Sequence, residues 1–334
     1  MNLTGLTGRQ LLCGGIFAGP VLPVGPVHAA TQETFAPTTI QFPGSSNTIA
    51  RGINSSGDIV GTYLCSAAAG CTLAGPAAAP GSHGFLLQDG VYTRIDVPGG
   101  ANTVARGISE QGVIVGHFVA GGATHGFAYA DRTFYTIDVP PELFDHEAPV
   151  DPLHTLAVRI SPQGDIVGCI HEGSATMTTM HGWLLRNGTF TVLKTPHFAG
   201  DTESRDPDTM NNGVAPTGEI VGFYFAMGVS YIADSSGIVT TFTFEGSRFT
   251  HAWDVNARGD IVGVVGTNQA DTIGAPVNPR GFLRTRQGEY RELGVEGASA
   301  TQVFGINARR QIVGSYTDAT GTHGFVQQLS RADP

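Results

Sequence analysis

The stretch Gly57-Asp58-Ile59-Val60-Gly61 returns along the chain as Gly112-Val113-Ile114-Val115-Gly116, Gly164-Asp165-Ile166-Val167-Gly168, Gly218-Glu219-Ile220-Val221-Gly222 and Gly259-Asp260-Ile261-Val262-Gly263. A sixth copy is worn and reads Arg310-Gln311-Ile312-Val313-Gly314. The closing glycines stand at 61, 116, 168, 222, 263 and 314, in steps of 55, 52, 54, 41 and 51 residues. A period near fifty, built from strand-forming residues, marks a radial or solenoid array of small sheets.

Working outward from the phrase, each unit reads as four strands. The first carries a Thr with an aliphatic residue five positions on: Thr48 to Ile53, Thr103 to Ile108, Thr155 to Ile160, Thr209 to Val214, Thr250 to Val255 and Thr301 to Ile306. A tight polar turn such as Asn54-Ser55-Ser56-Gly57 leads into the Ile-Val-Gly strand, its glycine tolerating positive φ. The third strand opens with His-Gly-aromatic, as in His83-Gly84-Phe85, His125-Gly126-Phe127, His181-Gly182-Trp183 and His323-Gly324-Phe325. The fourth is β-branched and aromatic, as in Tyr135-Thr136-Ile137-Asp138-Val139-Pro140, bounded by turn residues.

The ends of the chain decide between a ring and an open array. The sixth unit stops after its third strand, at Phe325-Val326-Gln327-Gln328-Leu329, while Phe35 to Gly44 near the start has the pattern of a fourth strand. A chain that begins with the strand its last repeat lacks closes on itself and leaves no open sheet edges. The expected fold is all-β: a six-bladed β-propeller of four-stranded blades over residues 31–330, its last blade closed by the N-terminal strand. An open β-solenoid is the alternative.

Forty-seven glycines and nineteen prolines against 14% charged residues suit a turn-rich all-β chain. A net charge of −10 with no Lys or Arg run argues against nucleic acid or an anionic membrane surface as partner. Residues 1–30 carry one charged side chain, Arg9, then the apolar Leu11 to Ala18 and the small-residue site Val27-His28-Ala29-Ala30. They read as a secretory signal peptide, and no later segment is apolar enough to span a membrane. Secretion to the extracellular space or periplasm, as a monomer, is the expectation. In an oxidising compartment Cys65 and Cys71 can close a small ring. Cys169 reads as a buried apolar residue.

The His-Gly-Phe and Gly-x-Ile-Val-Gly phrases resemble those of the HAF family of extracellular repeat proteins, over nearly all of residues 34–329. The resemblance implies a secreted repeat protein and names no chemistry. Members often end in a hydrophobic sorting tail; residues 331–334, Arg331-Ala332-Asp333-Pro334, form instead a short polar tail, which fits free secretion.

In a four-stranded blade the second-to-third and fourth-to-next loops share one face. The insertions at 64–82, 141–154, 171–180, 197–208 and 265–279 all belong to that set, so one face is elaborated. Two of these loops are rich in ionisable groups, with Asp145, His146 and Asp151 in one and His197 and Asp206 in the other. The position before the first-strand Thr is Asn47, Asn102, His154, Asp208, Phe249 and Ala300. Its drift to His154 and Asp208, with His251 just after Thr250, is what a site grafted on a repeat looks like; solvated loop charge is the plain alternative. His154, Asp208 and His251 are the candidate acid–base residues, and a divalent metal is conceivable. Arg51 and Arg106, which share one first-strand position, are candidates to hold an anion such as a carboxylate, or to pair with the acidic loops. Trp253 and Phe304, at the same position, read as inter-blade core or a stacking platform. The recurring His83, His125, His181 and His323 read as structural. No Gly-x-Ser-x-Gly, phosphate loop, EF-hand loop or Cys-x-x-Cys is present, so serine nucleophiles and nucleotides lose weight. Two readings remain: a hydrolase or lyase on an extracellular polymer, working from the long-loop face, or a non-catalytic module that binds a glycan or protein there.

Overall fold

In every unit the Ile-Val-Gly phrase forms the second of four antiparallel strands. The computed structural model describes residues 30–66, 71, 80–143, 153–172, 179–193, 208–225, 227–245, 247, 249–266, 268–269 and 276–330. Blade 1 runs Asn47–Ile53, Ile59–Cys65, Gly81–Gln88 and Val91–Ile95. Blades 2 to 5 repeat this order from Ala101–Ile108, Leu153–Ile160, Thr209–Val214 and Phe249–Val255 as innermost strands. Blade 6 has Ala300–Ile306, Gln311–Asp318 and Gly321–Gln328. The six innermost strands touch in a closed circle, blade 6 returning to blade 1, and the protein is a six-bladed β-propeller. Among the described residues no helix is long and apolar enough to cross a membrane.

The two sequence phrases hold each other. A Cβ on Gly61 would strike the Ile49 carbonyl and the Phe85 ring; one on Gly116 would strike the Val104 carbonyl and Phe127. The glycine therefore receives the aromatic of the His-Gly-aromatic strand beside it. The blade-entry threonines tie neighbours together: Val97 N–H donates to Thr103 Oγ1 at 3.1 Å, Val139 N–H to Thr155 at 3.2 Å and Val295 N–H to Thr301 at 2.9 Å. The repeated histidines are structural. His83 Nδ1 lies 2.9 Å from Asp96 and His125 Nδ1 3.0 Å from Asp138. In the worn sixth copy Arg310 takes the positive φ (61°) that glycine takes elsewhere, held by a bidentate pair with Asp260 at 2.8 and 2.9 Å.

Closure follows the expected route. Thr38–Ile40 pairs antiparallel with Gly321–Gln328, Ile40 opposite Gly324. Gln41 Oε1 accepts from His323 Nδ1–H at 2.9 Å, standing where Asp96 and Asp138 stand in blades 1 and 2. Phe42 stacks on Tyr63 of blade 1 at 3.6 Å. One element went beyond the sequence reading. Thr31–Phe35 adds a fifth, parallel strand to the outside of blade 5, against Tyr290–Val295. Pro37 lacks an N–H and restricts Ala36, so the chain leaves blade 5 there and crosses to blade 6. Cys65 and Cys71 are joined as a disulfide, and Cys169 is free and buried.

Candidate functional site

A β-bulge interrupts every innermost strand at one level, between Ala50 and Gly52, Ala105 and Gly107, Ala157 and Arg159, Asn211 and Gly213, Ala252 and Asp254, and Val303 and Gly305. The bulge sets two residues against one and re-aims side chains. Just past it, blades 1, 2, 4 and 6 carry glycine, because the neighbouring backbone is close: a Cβ on Gly52 would lie 2.8 Å from the Arg106 carbonyl, and one on Gly305 2.9 Å from that of Arg51. Blades 3 and 5 depart from glycine, with Arg159 and Asp254.

These two residues plug the axis. Arg159 donates through Nη1 to the carbonyls of Arg51 (3.1 Å) and Arg106 (2.9 Å), and through Nη2 to those of Phe304 (2.6 Å) and Trp253 (3.4 Å). Its Nε lies 3.2 Å from Asp254 Oδ1. One guanidinium thus gathers carbonyls from four other blades. Asp254 Oδ2 also accepts from Ile306 N–H at 3.0 Å. Burial pushes the Asp254 carboxyl up, against the opposing pull of Arg159 and two backbone N–H groups. From the short-turn face the tunnel is a pit of about 60 Å³, lined by Ile53, Ile108, Val214 and Ile306 and reaching Arg159 and Asp254.

On the other side of the plug the tunnel is cationic. Arg51 Nε donates to Thr62 Oγ1 at 3.3 Å, and Arg106 Nε to His117 Nδ1 at 3.2 Å. Thr62 and His117 pair with Ile49 and Val104, so both arginines extend away from the plug toward the long-loop mouth. Arg51 also lies over the Phe304 ring, 5.4 Å from its centroid, and Trp253 meets Phe304 edge-on at 5.4 Å. Arg51, Arg106, His117 and Trp253 keep part of their surface open, although protein surrounds them deeply. Neither arginine has a carboxylate partner among the described residues. Burial, then repulsion from Arg106 and Arg159, pushes Arg51 down to about 9. Burial brings Arg106 to about 10, the Cys169 thiol opposing and Arg159 adding to the fall. Guanidinium remains charged at neutral pH even so; the direction reports a charge without its counter-ion. His117 was not among the sequence candidates. Its signal is the residue after each phrase glycine, Thr62, His117, Cys169, Phe223, Val264 and Ser315, where one histidine stands among uncharged neighbours.

The proposed acid–base residues have other occupations. His154 Nδ1 accepts from Thr124 N–H at 2.9 Å, Asp208 Oδ1 from Met180 N–H at 2.9 Å, and Asn102 Oδ1 from Ser82 N–H at 3.3 Å. In blades 2, 3 and 4 the position before the Thr is thus an acceptor for the third strand of the preceding blade, and Asn, His and Asp all fill that role. His251 is buried between the rings of Phe223 and Phe249, with centroids 3.4 and 3.5 Å away. No described contact brings the three together. Asp145, His146, Asp151, His197 and Asp206 lie outside the described residues. Among the described residues no group of three His, Cys, Asp or Glu side chains could hold a metal ion.

A second cavity, about 400 Å³, opens on the short-turn face between blades 2 and 3, beside Ser109, Gln111, Asp131 and Gln163. Elsewhere on that face Asn256 donates to the Asn307 carbonyl at 3.2 Å, Asn307 to that of Asn54 at 2.9 Å and Asn54 to that of Ser109 at 3.4 Å. Ser109 has no amide with which to continue this chain, and the blades part there. Among the described residues Asp131 is the cavity's one charged lining group, so the larger hollow holds less chemistry than the tunnel.

Burial lowers His251, and lowers His117 with help from Arg106 and Arg51; it takes His171 to about 4, with Arg106 and His154 adding to the effect. Folded-state values below the unfolded 6.5 mean that the unfolded chain binds protons first as pH falls. This stability is complete above about pH 6.5 and is lost below it, down to about 4 for His171 and further for the other two. Each histidine contributes a limiting slope of about 1.4 kcal/mol per pH unit. Urea unfolding at a series of pH values should show the decline, and His251→Phe, which keeps the ring stack, should make it shallower. An unchanged slope in that variant would contradict the assignment.

The chain matches no protein-family profile and no curated protein. Solved structures similar to it include a catalytically inactive virginiamycin B lyase from Staphylococcus aureus, at 13% identity over 88% of this chain and 98% of that one, with a TM-score of 0.46. A putative gluconolactonase is 13% identical over 87% and 93%, TM-score 0.46. A calcium-binding protein, regucalcin, from Agrobacterium tumefaciens is 12% identical over 89% and 95%, TM-score 0.48. The likeness is one of fold, that of six-bladed β-propellers.

Proposed function

We propose that the chain is a secreted, non-catalytic propeller that binds an extracellular glycan at the long-loop mouth of its axial tunnel. The observation that carries this reading is the employment of the acid–base candidates. His154 and Asp208 are acceptors for backbone N–H groups in separate blades, and His251 is sealed between two rings. General acid–base work needs a group free to reach a substrate proton; His251 is closed off, and His154 Nδ1 and Asp208 Oδ1 are each committed to a backbone N–H. The mouth itself has the character of a binding surface: partly open guanidinium, imidazole and indole groups on rigid strands. The signal-peptide pattern in the sequence of residues 1–30 and the resemblance to HAF repeat proteins support an extracellular setting.

The test is a screen of residues 31–334 on a panel of polysaccharides and esters, scored for affinity and for turnover. Saturable binding with no new reducing ends, unsaturated products or released acid is expected. Turnover that disappears in His154→Ala/Asp208→Ala would overturn the reading in favour of a hydrolase or lyase.

A further inference from the structure

Two guanidinium groups share the tunnel beside each other, with no carboxylate between them among the described residues. Arg51 and Arg106 each spend only Nε on a protein acceptor, Thr62 and His117. Among the described residues nothing accepts from their Nη groups. His117 accepts at Nδ1, so its proton sits on Nε2 and adds a further donor. Arg159, one residue deeper, adds positive charge below them, though its own charge is matched by Asp254. Repelling cations of this kind are costly to enclose unless an anion joins them. A planar fork recognises a carboxylate through paired N–H···O bonds. The chain as a whole carries −10, so general attraction does not draw anions here; recognition has to be local.

We propose that this site takes a uronate-bearing oligosaccharide, its carboxylate lying between Arg51 and Arg106 and its sugar ring against Trp253. Trp253 favours a sugar over an acidic peptide: it is partly open, held by Phe304 and Phe223, and its indole is an apolar ring of the kind that packs on the C–H side of a pyranose. The inference rests on the glycan-binding reading and names the ligand class for it.

The test is calorimetry of residues 31–334 with trigalacturonate and with its carboxyl-reduced neutral trimer. The acid should bind at least tenfold more tightly than the neutral trimer. Arg51→Gln and Arg106→Gln should each weaken the acid tenfold or more, bringing it toward the affinity of the neutral trimer. The melting temperature of each variant should hold or rise, because one of two repelling cations is gone; Arg106→Lys, which keeps the charge without the fork, should lose less. Equal binding of the two trimers would overturn the carboxylate site and leave the glycan-binding reading standing. Displacement of the acid by inorganic phosphate or an acidic peptide at equal concentration would overturn the uronate assignment. Cleavage of trigalacturonate would overturn the non-catalytic reading while leaving the site in place.

Discussion

Asp254→Gly is expected to destabilise the propeller by about 3–5 kcal/mol, the cost of removing one partner from a buried ion pair. Arg159 would keep its four carbonyl bonds but lose the carboxylate beside it, and Ile306 N–H would lose its acceptor. That is a large share of a net stability of about 5–15 kcal/mol. The reverse change, Arg159→Gly, should also be severe, because carbonyls from four blades lose a shared donor. The double variant Arg159→Gly/Asp254→Gly restores the residue found at this level in blades 1, 2, 4 and 6. It should cost less than the sum of the single changes, with a coupling energy of about 1–3 kcal/mol. Urea denaturation of the four proteins gives this directly. Additive single effects would mean that the pair does not act as a unit at the axis.

Deleting residues 31–45 should abolish cooperative folding. The segment supplies three buried aromatic or aliphatic side chains, Phe35, Ile40 and Phe42, each contributing about 1.5–3 kcal/mol by burial. Together they approach the whole net stability. The loss is more than additive burial, because the ring opens: Gly321–Gln328 loses its outer partner, and Phe42 leaves both its stack on Tyr63 and its bond to Thr48. Thermal melting followed by circular dichroism is the check. A truncated chain that melts like the parent would show that the N-terminal strand does not close the ring.

Much of this architecture is legible because repetition constrains it. The Ile-Val-Gly phrase, the Thr five places before an aliphatic residue and the His-Gly-aromatic phrase each have one physical job, performed six times with few exceptions. Closure was readable in Gln41-Phe42-Pro43, which imitates Asp96-Val97-Pro98 down to the side chain that meets a histidine. The axial plug was one column away from the arginines that sequence comparison did pick out. Gly52, Gly107, Arg159, Gly213, Asp254 and Gly305 break their own pattern twice, but only the bulge reveals that this column, and not its neighbour alone, reaches the axis. His154 and Asp208 stood out for the opposite reason. Across blades 2, 3 and 4 the residue type varies from Asn102 to His154 to Asp208 while one task, accepting a backbone N–H, does not, and a sequence shows the variation without the task.

Trp253 allows the central claim to be tested in place. The chain has two tryptophans, and Trp183 is fully buried in blade 3, so a Trp183→Phe protein reports emission from the tunnel mouth alone. Titration with trigalacturonate should change that emission saturably, with the midpoint found by calorimetry, and Arg51→Gln/Arg106→Gln should abolish the change. Binding seen by calorimetry with no response from Trp253 would place the ligand elsewhere and contradict the account.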